Sequence, residues 1–360
     1  MNAGRSFLCW LVAACFGSAA ALAQAPGDPI LPKHVTPATL KAVERGLGWL
    51  KKSQSSDGSF SALNDGAAYP VSMASLAGMA MLATGSTTTR GPAADEIART
   101  VRYVSACARP TGMLSGPSQE SGRPMHGHGF ALLFLATVHG METDPAARER
   151  LAPAIRRAVR LVDAAQSPLG GWTYVPASGD EGSVTVTQIQ ALRAADAAGF
   201  VIPDRTFRRA VRYLEICQEK DGGIRYSYGQ RMGGGSGGSA SRLPISAAAV
   251  ATLYNAGEYE SPIAKRCLAY VVEHLGKGNP FNESEGSGHS FYMNLYAAQA
   301  FYQAGDKYWD SYFPRARDAL LREQKEDGSW AGDDVGRVFG TSIALIVLQL
   351  PYKFLPVYQR

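Results

Sequence analysis

Gln324-Lys325-Glu326-Asp327-Gly328-Ser329-Trp330 is one of four copies of a turn signature in this chain of 360 residues. The others are Gln54-Ser55-Ser56-Asp57-Gly58-Ser59-Phe60, Gln166-Ser167-Pro168-Leu169-Gly170-Gly171-Trp172 and Gln218-Glu219-Lys220-Asp221-Gly222-Gly223-Ile224. Each places Gly four residues, and a large apolar residue six residues, after the Gln. The agreement extends upstream: Arg156-Arg157-Ala158-Val159-Arg160 and Arg208-Arg209-Ala210-Val211-Arg212 stand 52 residues apart. Two weaker copies put Ala108 and Leu275 at the Gln position, so six anchors fall at 54, 108, 166, 218, 275 and 324. Their separations of 54, 58, 52, 57 and 49 residues identify one supersecondary unit repeated six times. No such unit can bury its apolar face alone.

Each unit reads as two helices. The first ends at the turn (38–54, 95–108, 151–166, 204–218, 262–275 and 312–324) and mixes Arg, Lys and Glu with apolar residues at helical spacing, so one face is wet. The second is poor in charge (71–83, 129–138, 185–198, 245–256, 290–304 and 339–350) and must be covered on most sides. The expectation is an all-α double ring of twelve antiparallel helices, an (α/α)6 toroid over 38–350. Its repeats run about 38–90, 91–147, 148–202, 203–259, 260–308 and 309–350. Closure is preferred to an open solenoid because the last second helix, Phe339 to Leu350, is too apolar to cap an exposed end. It is expected to pack on its own first helix and on the first unit, with the tail 351–360 covering the seam. No βαβ periodicity argues for a parallel sheet.

Residues 1–23 read as a signal peptide: Arg5 precedes a largely apolar stretch from Phe7 to Leu22, and Ala21-Leu22-Ala23 offers small residues for cleavage. Residues 24–37 then form a linker. The expectation is an exported, periplasmic or secreted protein with no membrane span; cleavage before Cys15 to give a lipid-anchored form is the alternative. N-terminal sequencing of the protein from its host should find Gln24 or a close neighbour, and a chain starting at lipidated Cys15 or at Met1 would contradict cleavage near Ala23. The formal charge of +5 is small for this length and no long basic run occurs, which argues against nucleic-acid binding. Cys107, Cys217 and Cys267 remain after cleavage, an odd set that reads as buried small hydrophobes rather than a disulfide framework.

The run from a basic residue through an aromatic or Leu to Gln, Gly and Trp, as in Arg160 to Trp172 and Arg317 to Trp330, resembles the repeat of the terpenoid cyclase and protein prenyltransferase superfamily. The resemblance implies the (α/α)6 toroid, with the Gln turns bracing its outer layer. It does not extend to the family's chemistry. Met293, Arg242 and Ile245 stand where prenyltransferase zinc ligands are expected, and no Asp-x-Asp-Asp run is present. Neither a metal nor another cofactor is therefore expected.

In this architecture the starts of the second helices share one rim. They carry Tyr69, His126, His128, Arg242, Phe291, Tyr292, Tyr296 and Phe339 as candidates for a ligand pocket, and His289, Asp333 and Asp334 as candidates for acid–base chemistry. Gly233 to Gly238 reads as a polar rim loop. The leading expectation is an exported binding or scaffold toroid taking an apolar or isoprenoid ligand, a glycan or a protein partner. The alternatives are an enzyme acting on isoprenoids, cyclase-like, and a polysaccharide lyase or hydrolase on the same ring.

Overall fold

The computed structural model describes residues 31–60, 69–116, 119–228, 241–281 and 289–358. Residues 1–23, read as a signal peptide, half of the segment read as linker (24–30) and the glycine-rich run 233–238 lie outside the described residues. The chain divides into two compact units, Met1–Leu31 and Pro32–Arg360, and every helix described below belongs to the second. The segment read as linker is tied down from Lys33, whose Nζ donates to Asp310 at 2.7 Å, while Arg317 donates to the His34 carbonyl at 2.6 Å.

Twelve long helices alternate between two layers. The outer ones are α1 (Pro37–Ser53), α3 (Ala94–Ala106), α5 (Pro145–Ala164), α7 (Asp204–Cys217), α9 (Pro262–His274) and α11 (Asp306–Glu323). The inner ones are α2 (Pro70–Leu82), α4 (Pro124–Met141), α6 (Gly182–Ala197), α8 (Leu243–Asn255), α10 (Ser290–Ala304) and α12 (Arg337–Gln349). Five helices start on a proline, whose fixed φ suits a first turn and whose missing N–H is not needed there. Every residue of α2 is buried, and so is every residue of α12 after Arg337, as their lack of charge requires.

The inner layer closes. Helix α2 packs on α4, α4 on α6, α6 on α8, α8 on α10, α10 on α12, and α12 on α2. Each inner helix also leans on the outer helix of the following unit, and α12 accordingly packs on α1. This corrects the expected partner of α12: its own outer helix, α11, reaches it through Trp330, whose Nε1 donates to the Leu320 carbonyl at 2.8 Å. A Cβ on Gly46 of α1 would stand 2.9 Å from the Trp330 ring and 3.0 Å from Leu345, so the indole fills the space among α11, α1 and α12.

One device binds neighbouring units, and it repeats across the seam. The Gln side chain reaches forward to a carbonyl of the next outer helix: Gln54 to Glu96 (3.0 Å), Gln166 to Thr206 (3.0 Å), Gln218 to Ile263 (3.1 Å) and Gln324 to Ala42 (2.8 Å). The last of these joins the sixth unit to the first. The turn glycines Gly58, Gly112, Gly170, Gly222 and Gly328 have φ between 91° and 104°. A Cβ there would fall within 2.1 to 2.7 Å of the carbonyl oxygens of Arg99, Arg157, Arg209, Arg266 and Arg45, so both the conformation and the space demand Gly.

Those arginines form a pattern of their own. Together with Arg315 they stand nine residues before each of the six anchors, each followed by a small buried residue (Gly46, Thr100, Ala158, Ala210, Cys267, Ala316). Arg45 donates to the carbonyls of Lys325 and Glu326, Arg209 to that of Ser167, and Arg315 to those of Gly276 and Gly278, in each case the turn of the preceding unit.

After α12 the tail carries Phe354 against Gly85 at the seam, as expected, and then continues to α6, where Pro356–Tyr358 packs and Tyr358 is buried. Gln190 of α6 donates to Gln299 of α10 across the lumen. Leu348 is fully buried, so Leu348→Ala is expected to cost about 2 to 5 kcal/mol. Urea denaturation measures this, and a loss below about 1 kcal/mol would contradict a packed seam.

Candidate functional site

All six inner helices start on the same rim, and the N–H groups of a helix start need partners. Where these partners are described, they come largely from the loop of the following unit. Glu120 accepts from Val71 N (3.1 Å), Ser72 N (3.0 Å) and Ser72 Oγ (2.9 Å) at the start of α2. The Tyr174 carbonyl accepts from Met125 N at α4, and the Tyr226 carbonyl from Gly182 N at α6. Asp333 accepts from Ser290 Oγ (3.0 Å), Phe291 N (3.1 Å) and Tyr292 N (3.3 Å) at α10. The field that favours anions at these termini is thus already met by the chain's own carboxylates at α2 and α10.

At α6 the cap is local. Glu181 is buried, and its carboxylate accepts from Ser183 N (2.9 Å), Val184 N (2.6 Å) and Ser183 Oγ. Around it stand aromatic side chains from four units. The Tyr174 and Tyr226 hydroxyls are 2.6 Å apart, the His126 ring meets Tyr174 edge-on at 5.9 Å, and Tyr292 and Tyr296 meet edge-on at 4.9 Å. The Arg123 guanidinium lies 5.4 Å from the centre of the Tyr174 ring.

Burial first, and then the Glu181 charge, push the Tyr226 phenol up. Burial, then Tyr296 and then Glu181 do the same to Tyr292. Burial lowers His126, with the Glu181 charge opposing it. His126 Nε2 is buried without a hydrogen-bond partner, and the buried Tyr292 and Tyr296 hydroxyls meet only each other. The arrangement offers one carboxyl group whose anion is well solvated by the chain, π faces suited to positive charge, and one imidazole nitrogen without a protein partner.

The residues singled out from sequence separate into three sets. His126, Tyr292 and Tyr296 belong to this cluster. Asp333 does not offer free acid–base chemistry, because its carboxylate caps α10; Asp334 beside it is exposed. His289 and Arg242 are exposed at the positions preceding α10 and α8, and Tyr69 is half-buried before α2. Phe291 packs against Phe281 at 5.2 Å, and Phe339 is buried in the first turn of α12.

His128 has a structural task. Its Nδ1 accepts from Leu114 N at 3.1 Å, as Thr185 Oγ1 does from Trp172 N, Ser246 Oγ from Ile224 N and Thr341 Oγ1 from Trp330 N. It is fully buried, which lowers its pKa to about 4. This makes it one of four equivalent braces between inner helix and turn. Cys217 and Cys267 are fully buried, with the Cys217 thiol pushed up to about 12 by burial, and neither is a nucleophile at neutral pH.

Glu181, Tyr174 and Tyr226 were not legible as site residues. A signal existed for the tyrosines: each stands eight residues after its anchor, at 166 and 218. Glu181 carries none, since Glu is not among the preferred N-cap residues. Among the described residues no group of three or more His, Cys, Asp or Glu is arranged to hold a metal, and no helix is long and apolar enough to cross a membrane.

The squalene-hopene cyclase C-terminal domain matches residues 136–305. A variant of the type II terpene cyclase MstE from Scytonema, bound to its substrate geranylgeranyl dihydroxybenzoate, superposes with a TM-score of 0.58 at 14% identity, covering 89% of this chain and 98% of that one. A protein from Actinoplanes gives 0.57 at 17% identity, over 88% and 99%. An α-1,6-mannanase from Salegentibacter gives 0.61 at 8% identity, again over 88% and 99%. No curated protein matches the chain. The fold is thus distantly squalene/hopene-cyclase-like; the sequence has no Asp-x-Asp-Asp run, and no zinc ligand set stands among the described residues.

Proposed function

We propose that the protein is an exported enzyme of isoprenoid chemistry that protonates and cyclises its substrate at the mouth of the ring. The observation that carries the reading is the Glu181 carboxyl group, buried with three donors on it, among Tyr174, Tyr226, Tyr292 and Tyr296. The match to a squalene-hopene cyclase domain supports the substrate class.

In this reading the protonated Glu181 donates to a terminal alkene. Its O–H bond breaks, the alkene π pair forms the new C–H bond, and a carbocation remains. Ser183 N–H, Val184 N–H and the Ser183 hydroxyl hold the carboxylate left behind. The tyrosine faces stabilise the cation while further alkenes close rings, and loss of a proton from the last cation ends the sequence. His126, with an unpartnered Nε2 and under the influence of Glu181, is the group placed to return a proton. The net change is an isomerisation that needs no co-reactant.

Incubation of the purified protein with squalene and with geranylgeranyl-substituted phenols should give a product of unchanged mass and altered retention. Recovery of unchanged substrate from every candidate, with binding intact, would instead support the binding toroid. A glycan-cleaving reading has less support, because Asp333 is engaged as a helix cap and the likeness to the mannanase is one of fold.

A further inference from the structure

On the rim opposite the mouth, the ends of α4 and α6 and the flank of α5 enclose an open cavity of about 600 Å³. That volume lies in the range of small-molecule sites, roughly 300 to 1,000 Å³. Arg148, Arg156 and Arg160 line it from α5, where positions 148, 152, 156 and 160 recur every four residues and so form one stripe. None of the three is ion-paired among the described residues, whereas Arg150 on the same helix reaches Asp144 at 3.8 Å. Glu149 is the one carboxylate in the lining. Three guanidinium groups against one carboxylate leave an excess of two positive charges.

His139 is the second observation. It lines the same cavity, is 7% exposed and lies 4.8 Å from the Phe200 ring, yet its Nδ1 is buried with no partner. The imidazole therefore meets the cavity with the remaining edge of its ring, beside Arg148 and Arg156. The rest of the floor is apolar: Ala152, Val159 and Phe200 line it, and Val201 at its edge is 91% exposed.

We propose that this cavity is a second binding site, separate from the mouth, for a phosphate monoester whose organic part is apolar. A phosphate monoester carries about −1.5 to −2 at pH 7 and three acceptor oxygens. It therefore matches the charge excess and gives the guanidinium groups forked acceptors beside the His139 ring, while its organic group covers Val159, Phe200 and Val201. The inference does not depend on chemistry at Glu181.

Titration calorimetry of the full chain with phenyl phosphate tests it, with inorganic phosphate and phenol as the separated halves. Phenyl phosphate should bind at least about tenfold more tightly than either half, and Arg156→Gln/Arg160→Gln should weaken it by about tenfold or more. Both positions are exposed, so the variant should melt like the parent. The His139 imidazole, facing Arg148, Arg156, Arg160 and Glu149, should titrate at higher pH with phenyl phosphate bound. Equal binding by parent and variant, or an unmoved His139 titration, would overturn the proposal. Sedimentation with phosphatidylglycerol vesicles without saturable binding of phenyl phosphate would assign the arginines to a lipid surface and overturn it equally.

Discussion

Trp330→Ala is expected to destabilise the ring by about 3 to 5 kcal/mol, the range for removing a fully buried Trp or Phe. The indole is fully buried, donates to the Leu320 carbonyl and occupies the space that Gly46 leaves open beside Leu345. Its removal opens a cavity at the contact between the sixth unit and the first and takes one of two hydrogen bonds from the Leu320 carbonyl, which keeps the one from Gln324 N. Urea unfolding reads the change as a lower midpoint at unchanged slope. Trp172 provides the internal reference, because its Nε1 donates to the Val162 carbonyl at the same 2.8 Å in the middle of the ring. In a closed ring the two alanine variants lose similar stability; a loss below about 1 kcal/mol at Trp330 alone would mean that the last unit is an open end.

Glu181→Gln is expected to lower isoprenoid turnover by about 10²- to 10⁴-fold, the range for loss of a positioned acid–base group. The amide keeps the size of the side chain and one accepting oxygen. It can still cap part of α6, with a stability cost of about 1 kcal/mol. It has no carboxyl proton to give, so kcat should fall while substrate affinity, carried by the tyrosine faces, changes little. Asp333→Asn is the control: that carboxylate also caps an inner helix, from the following unit, and it meets the tyrosine cluster only at the backbone N–H of Tyr292. Equal losses of turnover in both variants would reduce Glu181 to a helix cap.

The ring was legible because its signal is repetitive. Gln324 and Gly328 can be read from sequence as fold markers, and the structure adds the reason: the Gln amide and the positive-φ Gly both meet the outer helix of the next unit. The arginines nine residues before the anchors were equally visible, even at the degenerate Ala108 and Leu275 turns, yet their partners lie in the preceding unit and periodicity within one helix does not reveal them.

The site was harder to read because rim position and residue type do not determine where a side chain is engaged. His126 and His128 sit two residues apart, so the helical turn sends them in different directions: one joins Tyr174, and the other braces Leu114. Asp333 has the composition of an acid–base candidate, but its oxygens face the N–H groups of another helix. Glu181 was hidden for the opposite reason, since one Glu before a Gly-Ser-Val run carries no spacing that distinguishes it.

The most direct test of isoprenoid chemistry at the mouth is photolabelling with a geranylgeranyl probe carrying a benzophenone, followed by peptide mapping. The account predicts cross-links on Tyr226, Tyr292 or Tyr296 that unlabelled geranylgeranyl phenol competes away. Absence of competable labelling, or labelling confined to the outer helices, would contradict it.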